Sequence, residues 1–212
     1  MTSRSIAPAI PAHESRHAHH TVGRANPTRA LVVLLLAWLL VAPGIQAAEI
    51  EEIQFPENVE AGGDTLPLFG LGLLRYRVFF RGYVGGLYLP TGATADQTLT
   101  DVPKALELYY FWDIEGRFFG EAAEELLVKS HPPERIAALR ERLDRLNSIY
   151  RDVKVGDRYR LSYVPGTGTT LLYNGKALGT IPGADFAEAY FGIWLGDQPL
   201  NETFRDQMLC GR

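Results

Sequence analysis

The sequence is poor in the residues that carry most metal and covalent chemistry. Its 212 residues include one cysteine, Cys210, and five histidines, and four of these (His13, His17, His19 and His20) crowd into the first twenty positions. Beyond them His131 stands alone. One cysteine forms no internal disulfide, and one histidine with one cysteine falls short of a zinc ligand set. A Ser-His-Asp triad would have to use His131, which lies in "SHPPE", a proline-rich stretch suited to starting a helix. A glycine-rich phosphate loop is lacking as well. "GLGLLR" (70–75) and "GTGTTL" (166–171) both stop short of G-x-G-x-x-G, and neither sits in a strand–helix–strand unit. The sequence therefore predicts no metal and no cofactor.

Long apolar runs are lacking too. The longest is "ALVVLLLAWLLVA" (30–42), 13 residues without a charge. A membrane-spanning helix needs about 20. Arg24 and Arg29 precede the run, and small residues follow at Ala47 and Ala48. A basic flank, a short apolar stretch and a small-residue exit form a secretory signal peptide. Residues 1–48 are read as that leader, with cleavage near Ala47, and residues 49–212 as a single exported domain, periplasmic or secreted. No stable membrane span is expected after cleavage, and the histidine tract would leave with the leader.

An excess of positive charge is missing from the domain. Of 21 basic and 25 acidic residues, Arg4, Arg16, Arg24, Arg29 and Glu14 belong to the leader. The remaining 17 and 24 leave a net charge of −7. A nucleic-acid partner would want a basic face, so none is expected.

What is present is the pattern of an α+β domain. "EIEEIQFP" (49–56) alternates as a strand does, and residues 66–90 are long, extended and rich in aromatic and branched side chains. "LRYRV" (74–78) predicts a reversal between two antiparallel strands, and "KALELYYFW" (104–112) is a further strand. A helix is predicted over 115–130. A second follows "SHPPE", with Ile136, Leu139, Leu143, Leu146 and Ile149 on one stripe. Two period-two strands flank "PGTG", and Asn174-Gly175 marks a hairpin turn. A helix over 185–194 carries Phe186, Tyr190, Ile193 and Trp194 on one stripe, and a short helix ends the chain. This order predicts an open antiparallel β-sheet packed against a layer of helices.

One constellation invites a ligand. Arg75, Tyr76, Arg77, Phe79, Phe80, Arg81, Tyr83 and Tyr88 mix guanidinium groups with aromatic rings. On a regular strand Arg75, Arg77, Arg81 and Tyr83 would share a face. A solvated sheet edge explains that pattern. So does an anion site, in which a guanidinium inside an apolar cleft holds a carboxylate or phenolate, helped by tyrosine hydroxyls.

Two stretches together resemble the chalcone isomerase-like family. "GLLRYRVFFRGYVGGLYLP" (72–90) is similar to its glycine–arginine–aromatic strand ending in L-Y-L. "YNGKALGTIPGADFAEAYFGIWLGDQPL" (173–200) is similar to its C-terminal block, and "VKVGDRYRLSYVPGTGTTL" (153–171) to its secreted bacterial branch. The resemblance spans most of residues 50–210 and implies a ligand cleft between sheet and helices. The family's plant enzymes close a chalcone to a flavanone, with an arginine stabilising the developing charge beside a threonine, a tyrosine and an asparagine. Arg75 matches that arginine, and Tyr83 stands at the threonine. "EGRFFGEAAEELL" (115–127) offers neither the tyrosine nor the asparagine. Non-catalytic relatives bind fatty acids, an arginine and a tyrosine gripping the carboxylate. The resemblance thus implies a non-catalytic domain that binds a small amphipathic anion, fatty acid or phenolic, with Arg75, Tyr83 and Tyr88 as ligand-binding residues. An isomerase with Arg75 as its catalytic residue is the alternative, and an envelope structural or interaction protein is a third reading.

Overall fold

The computed structural model describes residues 47–76 and 80–211. Residues 1–46, with the four N-terminal histidines, lie outside the described residues, as do Arg77 and Phe79. Strands β1 (Ala47–Ile50), β2 (Ile53–Pro56), β3 (Asn58–Ala61), β4 (Asp64–Tyr76), β5 (Phe80–Tyr88) and β6 (Lys104–Tyr110) come first. Helices α1 (Arg117–Ser130) and α2 (Pro133–Ile149) follow, then strands β7 (Arg158–Val164), β8 (Gly168–Tyr173) and β9 (Lys176–Ile181). Helices α3 (Ala184–Leu195) and α4 (Glu202–Leu209) close the chain.

Strands β3 to β9 pair in sequence order, every neighbour antiparallel, into one curled seven-stranded sheet. The fold is the α+β arrangement expected. β1 and β2 form a separate hairpin where the alternation of residues 49–56 predicts one strand. Its turn is Glu51-Glu52, both with positive φ, 53° and 66°. Turns of that hand usually carry Asn-Gly, so the sequence holds no signal for it. The Asn174-Gly175 turn does form where expected, between β8 and β9.

The two sheet faces are covered differently. The inner face, with Leu87, Leu106, Leu108, Leu161 and Leu171, packs against the apolar stripes of the helices, including Leu139, Leu143 and Leu146 of α2. The outer face, with Val84, Tyr88 and Ala105, is sealed by Phe55 of β2 and Val59 of β3. Burying each large apolar side chain contributes about 1.5–3 kcal/mol, so both layers hold the sheet. Among the described residues no helix is long and apolar enough to cross a membrane.

The glycines of the long hairpin serve a helix. Asn201 caps α4 by accepting a hydrogen bond from the Phe204 backbone N–H at 2.8 Å, and the helix then lies directly on β4 and β5. A Cβ at Gly70 would sit 2.1 Å from the Met208 carbonyl oxygen, and one at Gly85 would sit 2.7 Å from the Phe204 ring. Only glycine admits so close an approach.

Candidate ligand cavity

Between the inner face and the helices lies a cavity of about 270 Å³, at the lower end of pockets that take small molecules. Leu106 and Leu108 of β6, Leu161 of β7 and Leu171 of β8 form its floor. Phe119, Ala123 and Leu126 of α1 and Ile193 of α3 form its roof. Phe118 and Leu200, each more than two-fifths exposed, also line it and mark its side open to solvent.

The polar atoms of the lining are phenols and one indole: Tyr83 on β5, Tyr110 on β6, Tyr150 after α2, Tyr159 on β7, and Tyr190 and Trp194 on α3. Alternation along each strand brings them inward. Leu106, Leu108 and Tyr110 share one face of β6, and Tyr159 and Leu161 one face of β7. The helical stripe brings Tyr190, Ile193 and Trp194 to the same space, and so the stripe read from the sequence backs the cavity.

Most hydroxyls are engaged. Trp194 Nε1 donates to the Tyr83 hydroxyl at 2.8 Å. The Tyr150 and Tyr190 hydroxyls share a hydrogen bond of 2.7 Å. Tyr159 donates to the Arg151 carbonyl at 2.8 Å and accepts from the Arg151 N–H at 2.7 Å. The Tyr110 hydroxyl has no hydrogen-bond partner among the described residues, although its side chain is almost wholly buried. Its ring is wedged edge-on against Tyr83, Phe119 and Tyr159.

Burial pushes the acidity of these phenols down. Tyr83, Tyr110, Tyr150 and Tyr190 all titrate well above the ordinary tyrosine value, desolvation being the largest cause in each. Tyr159 shifts the same way for the same reason. All five are neutral donors at physiological pH.

The residues singled out in the sequence do not meet. Tyr83 lines the cavity. Arg75 is about half exposed and pairs with Glu51 at 2.8 Å, joined there by Arg81 at 3.2 Å. The Arg81 guanidinium lies 4.6 Å from the ring centre of Phe111, which packs with the outer layer. Arg81 and Tyr83 therefore do not share a face, contrary to the regular-strand expectation. The reason is a bulge: Leu74 pairs with Tyr83 and Arg75 with Arg81, leaving Gly82 without a counterpart. One extra residue reverses which side the following side chain takes. Tyr88 lies wholly buried in the outer layer, its hydroxyl without a hydrogen-bond partner among the described residues. Its ionisation is pushed up by burial and by Glu107 beside it, against the opposing pull of Arg158 and Arg160.

Tyr110, Tyr150, Tyr159, Tyr190 and Trp194 line the cavity but are not among the ligand-binding residues expected from the sequence. Period-two patterning marks Tyr110 and Tyr159 as face residues and the helical stripe marks Tyr190 and Trp194. Neither pattern says which buried face leaves a space.

Comparison with known proteins bears on the family. The sequence profile of the chalcone isomerase-like family matches residues 47–210. No curated protein matches the chain. Among solved structures, AtFAP1, a fatty-acid binding protein of Arabidopsis thaliana, is similar with a TM-score of 0.61 at 15% identity, over 77% of this chain and 96% of its own. At that identity the likeness establishes the fold.

Proposed function

The chain belongs to the chalcone isomerase-like family, and on that premise we propose that it is an exported, non-catalytic binding domain. It takes the apolar body of a small amphipathic molecule, such as a fatty acid, into the space between sheet and helices. The observation that carries this reading is the cavity, whose floor and roof are aliphatic and aromatic and whose few polar atoms are fixed hydrogen-bonding groups. The relation to a fatty-acid binding protein supports the ligand class. Export rests on the leader-like composition of residues 1–48.

The lining favours binding over turnover. Ring closure of a chalcone needs a group to stabilise a phenolate, and the acid–base work would fall to groups that titrate near neutrality. The five phenols titrate far above that range. Arg75, the residue matched to the catalytic arginine, is held by Glu51 away from the cavity lining. Tyr83 is then the ligand-facing member of the sequence-derived set, and Arg75 serves to clamp the β1–β2 turn.

Purification from the periplasm and mass spectrometry of the extracted ligand test the reading. Recovery of a stoichiometric amphiphile supports it. An empty protein that binds no amphiphile in calorimetry, or that cyclises a chalcone stereoselectively, refutes it. Fractionation and N-terminal sequencing test export, with a start near Ala48 expected.

A further inference from the structure

The tyrosine cluster places several phenols on the wall of the cavity. Tyr83 and Tyr110 are direct cross-strand partners on β5 and β6. Tyr83 accepts from Trp194 and donates to no partner among the described residues, and the Tyr110 hydroxyl has no hydrogen bond among them. Tyr110 lines the cavity, and its hydroxyl is not among the sealed, unpartnered polar atoms, so it is open to an acceptor entering that space. The pair presents two neighbouring neutral donors on one wall, deep among aromatic rings.

We propose that this cavity selects an uncharged head: Tyr110, seconded by Tyr83, donates hydrogen bonds to a carbonyl, ester or protonated carboxyl oxygen of an otherwise apolar molecule, and the carboxylate form is rejected. The inference rests on the binding reading above and sharpens it to a ligand class. A fatty acid would enter as the neutral acid, and its ester or a ketone of the same length would bind as well.

Burying a charge in such a cavity is costly. A carboxylate transferred from water into an apolar site loses far more than neutral donors return unless a cation meets it. The groups that face Tyr110 are Tyr83 from β5, Tyr159 from β7, Tyr150 from the end of α2 and the ring of Phe119 from α1. None of these carries a charge. Burial among the same rings raises the titration of Tyr110 and Tyr83, and a carboxylate placed beside them is desolvated in the same way.

Calorimetric titration of the intact exported protein with decanoic acid, methyl decanoate and 2-decanone tests this. The ester and ketone should bind with affinities unchanged between pH 5 and pH 8. The affinity for decanoic acid should weaken about tenfold per pH unit above the acid's own titration, since only the neutral form is accepted. Tyr110→Phe should weaken the ester and ketone about threefold to tenfold, the worth of one neutral hydrogen bond. The ligand-free variant should melt no lower than wild type, because the hydroxyl it loses is unpartnered in the empty protein. Decanoate binding as tightly at pH 8 as the ester would overturn the inference while leaving the binding reading intact. Equal affinities of wild type and Tyr110→Phe for both neutral probes would also overturn it. Failure of all three probes to bind would remove the binding reading and this inference together.

Discussion

Tyr83 and Tyr110 face each other across β5 and β6, their ring centres 5.8 Å apart and tilted by 65°. Tyr83 has Trp194 as a partner and Tyr110 has none among the described residues. Tyr110 lies edge-on against three aromatic rings and also borders the open space of the cavity.

The position of Arg75 makes a sharp prediction. Arg75→Ala should leave affinity for any cavity ligand within about twofold of wild type. It should cost about 0–1 kcal/mol of stability, as expected of an exposed ion pair. Paired ligand titrations and urea denaturation read both numbers. A large loss of affinity at unchanged stability would restore Arg75 as a ligand-gripping residue.

Filling the cavity should abolish binding without removing any polar group. Ala123 on α1 is buried and lines the space. Ala123→Phe projects a ring into it and should weaken ligand binding by about tenfold or more, with an overpacking cost of about 1–3 kcal/mol. Ala122→Trp reaches the same space from an exposed position and should show the binding loss with less destabilisation. Circular dichroism melts beside the titrations separate the two effects.

The seat of α4 depends on the absence of a side chain. Gly70→Ala places a methyl group against the Met208 carbonyl, and backbone cannot move aside as a flexible side chain can. The expected loss is at least about 1–3 kcal/mol. It should come with faster amide exchange in α4 than in α2. Equal exchange in the two helices would show that α4 is held by other contacts.

Stability should pass through a maximum on the alkaline side. Lys104 at the start of β6 is wholly buried, donates to the Thr100 carbonyl at 2.6 Å and lies 4.6 Å from the ring centre of Tyr163. Burial lowers its pKa from 10.5 to about 8, partly opposed by Asp101 and Glu188. Between those values the unfolded chain binds the proton that the native state has released, so stability rises with pH. Tyrosines act in the opposite sense. A hydrogen bond to Asp157 and burial hold Tyr173 up at about 12, and burial with a hydrogen bond to Asp101 does the same for Tyr163. Above the ordinary value of 10.0 the unfolded chain loses these protons first, so stability falls. Urea midpoints should climb from pH 8 and turn over near pH 10. Lys104→Met should flatten the climb and leave the fall.

The legible and illegible parts of this protein divide by the range of the interactions that set them. Local periodicity suffices for α1 to α4 and for the long strands, and turn chemistry for the Asn174-Gly175 turn. Each rests on residues within a few positions of one another, and each was read from the chain. The Glu51-Glu52 turn has no such signature: two residues that usually avoid positive φ adopt it in a hairpin whose Glu51 is gripped by Arg75 and Arg81, more than twenty positions away. The candidate site is divided in the same way. That Tyr110, Tyr159 and Tyr190 lie on buried faces follows from period two and period 3.6 alone. That these faces leave a space between them, with one hydroxyl idle, depends on how seven strands curl against four helices. The bulge at Gly82 sends Arg81 outward while Tyr83 faces in, and no spacing rule announces it. Sequence determined the family, the α+β layering and the apolar faces, because these are sums of local preferences. Tertiary structure alone decided which polar groups meet, because that depends on register, where a shift of one residue exchanges the inside for the outside.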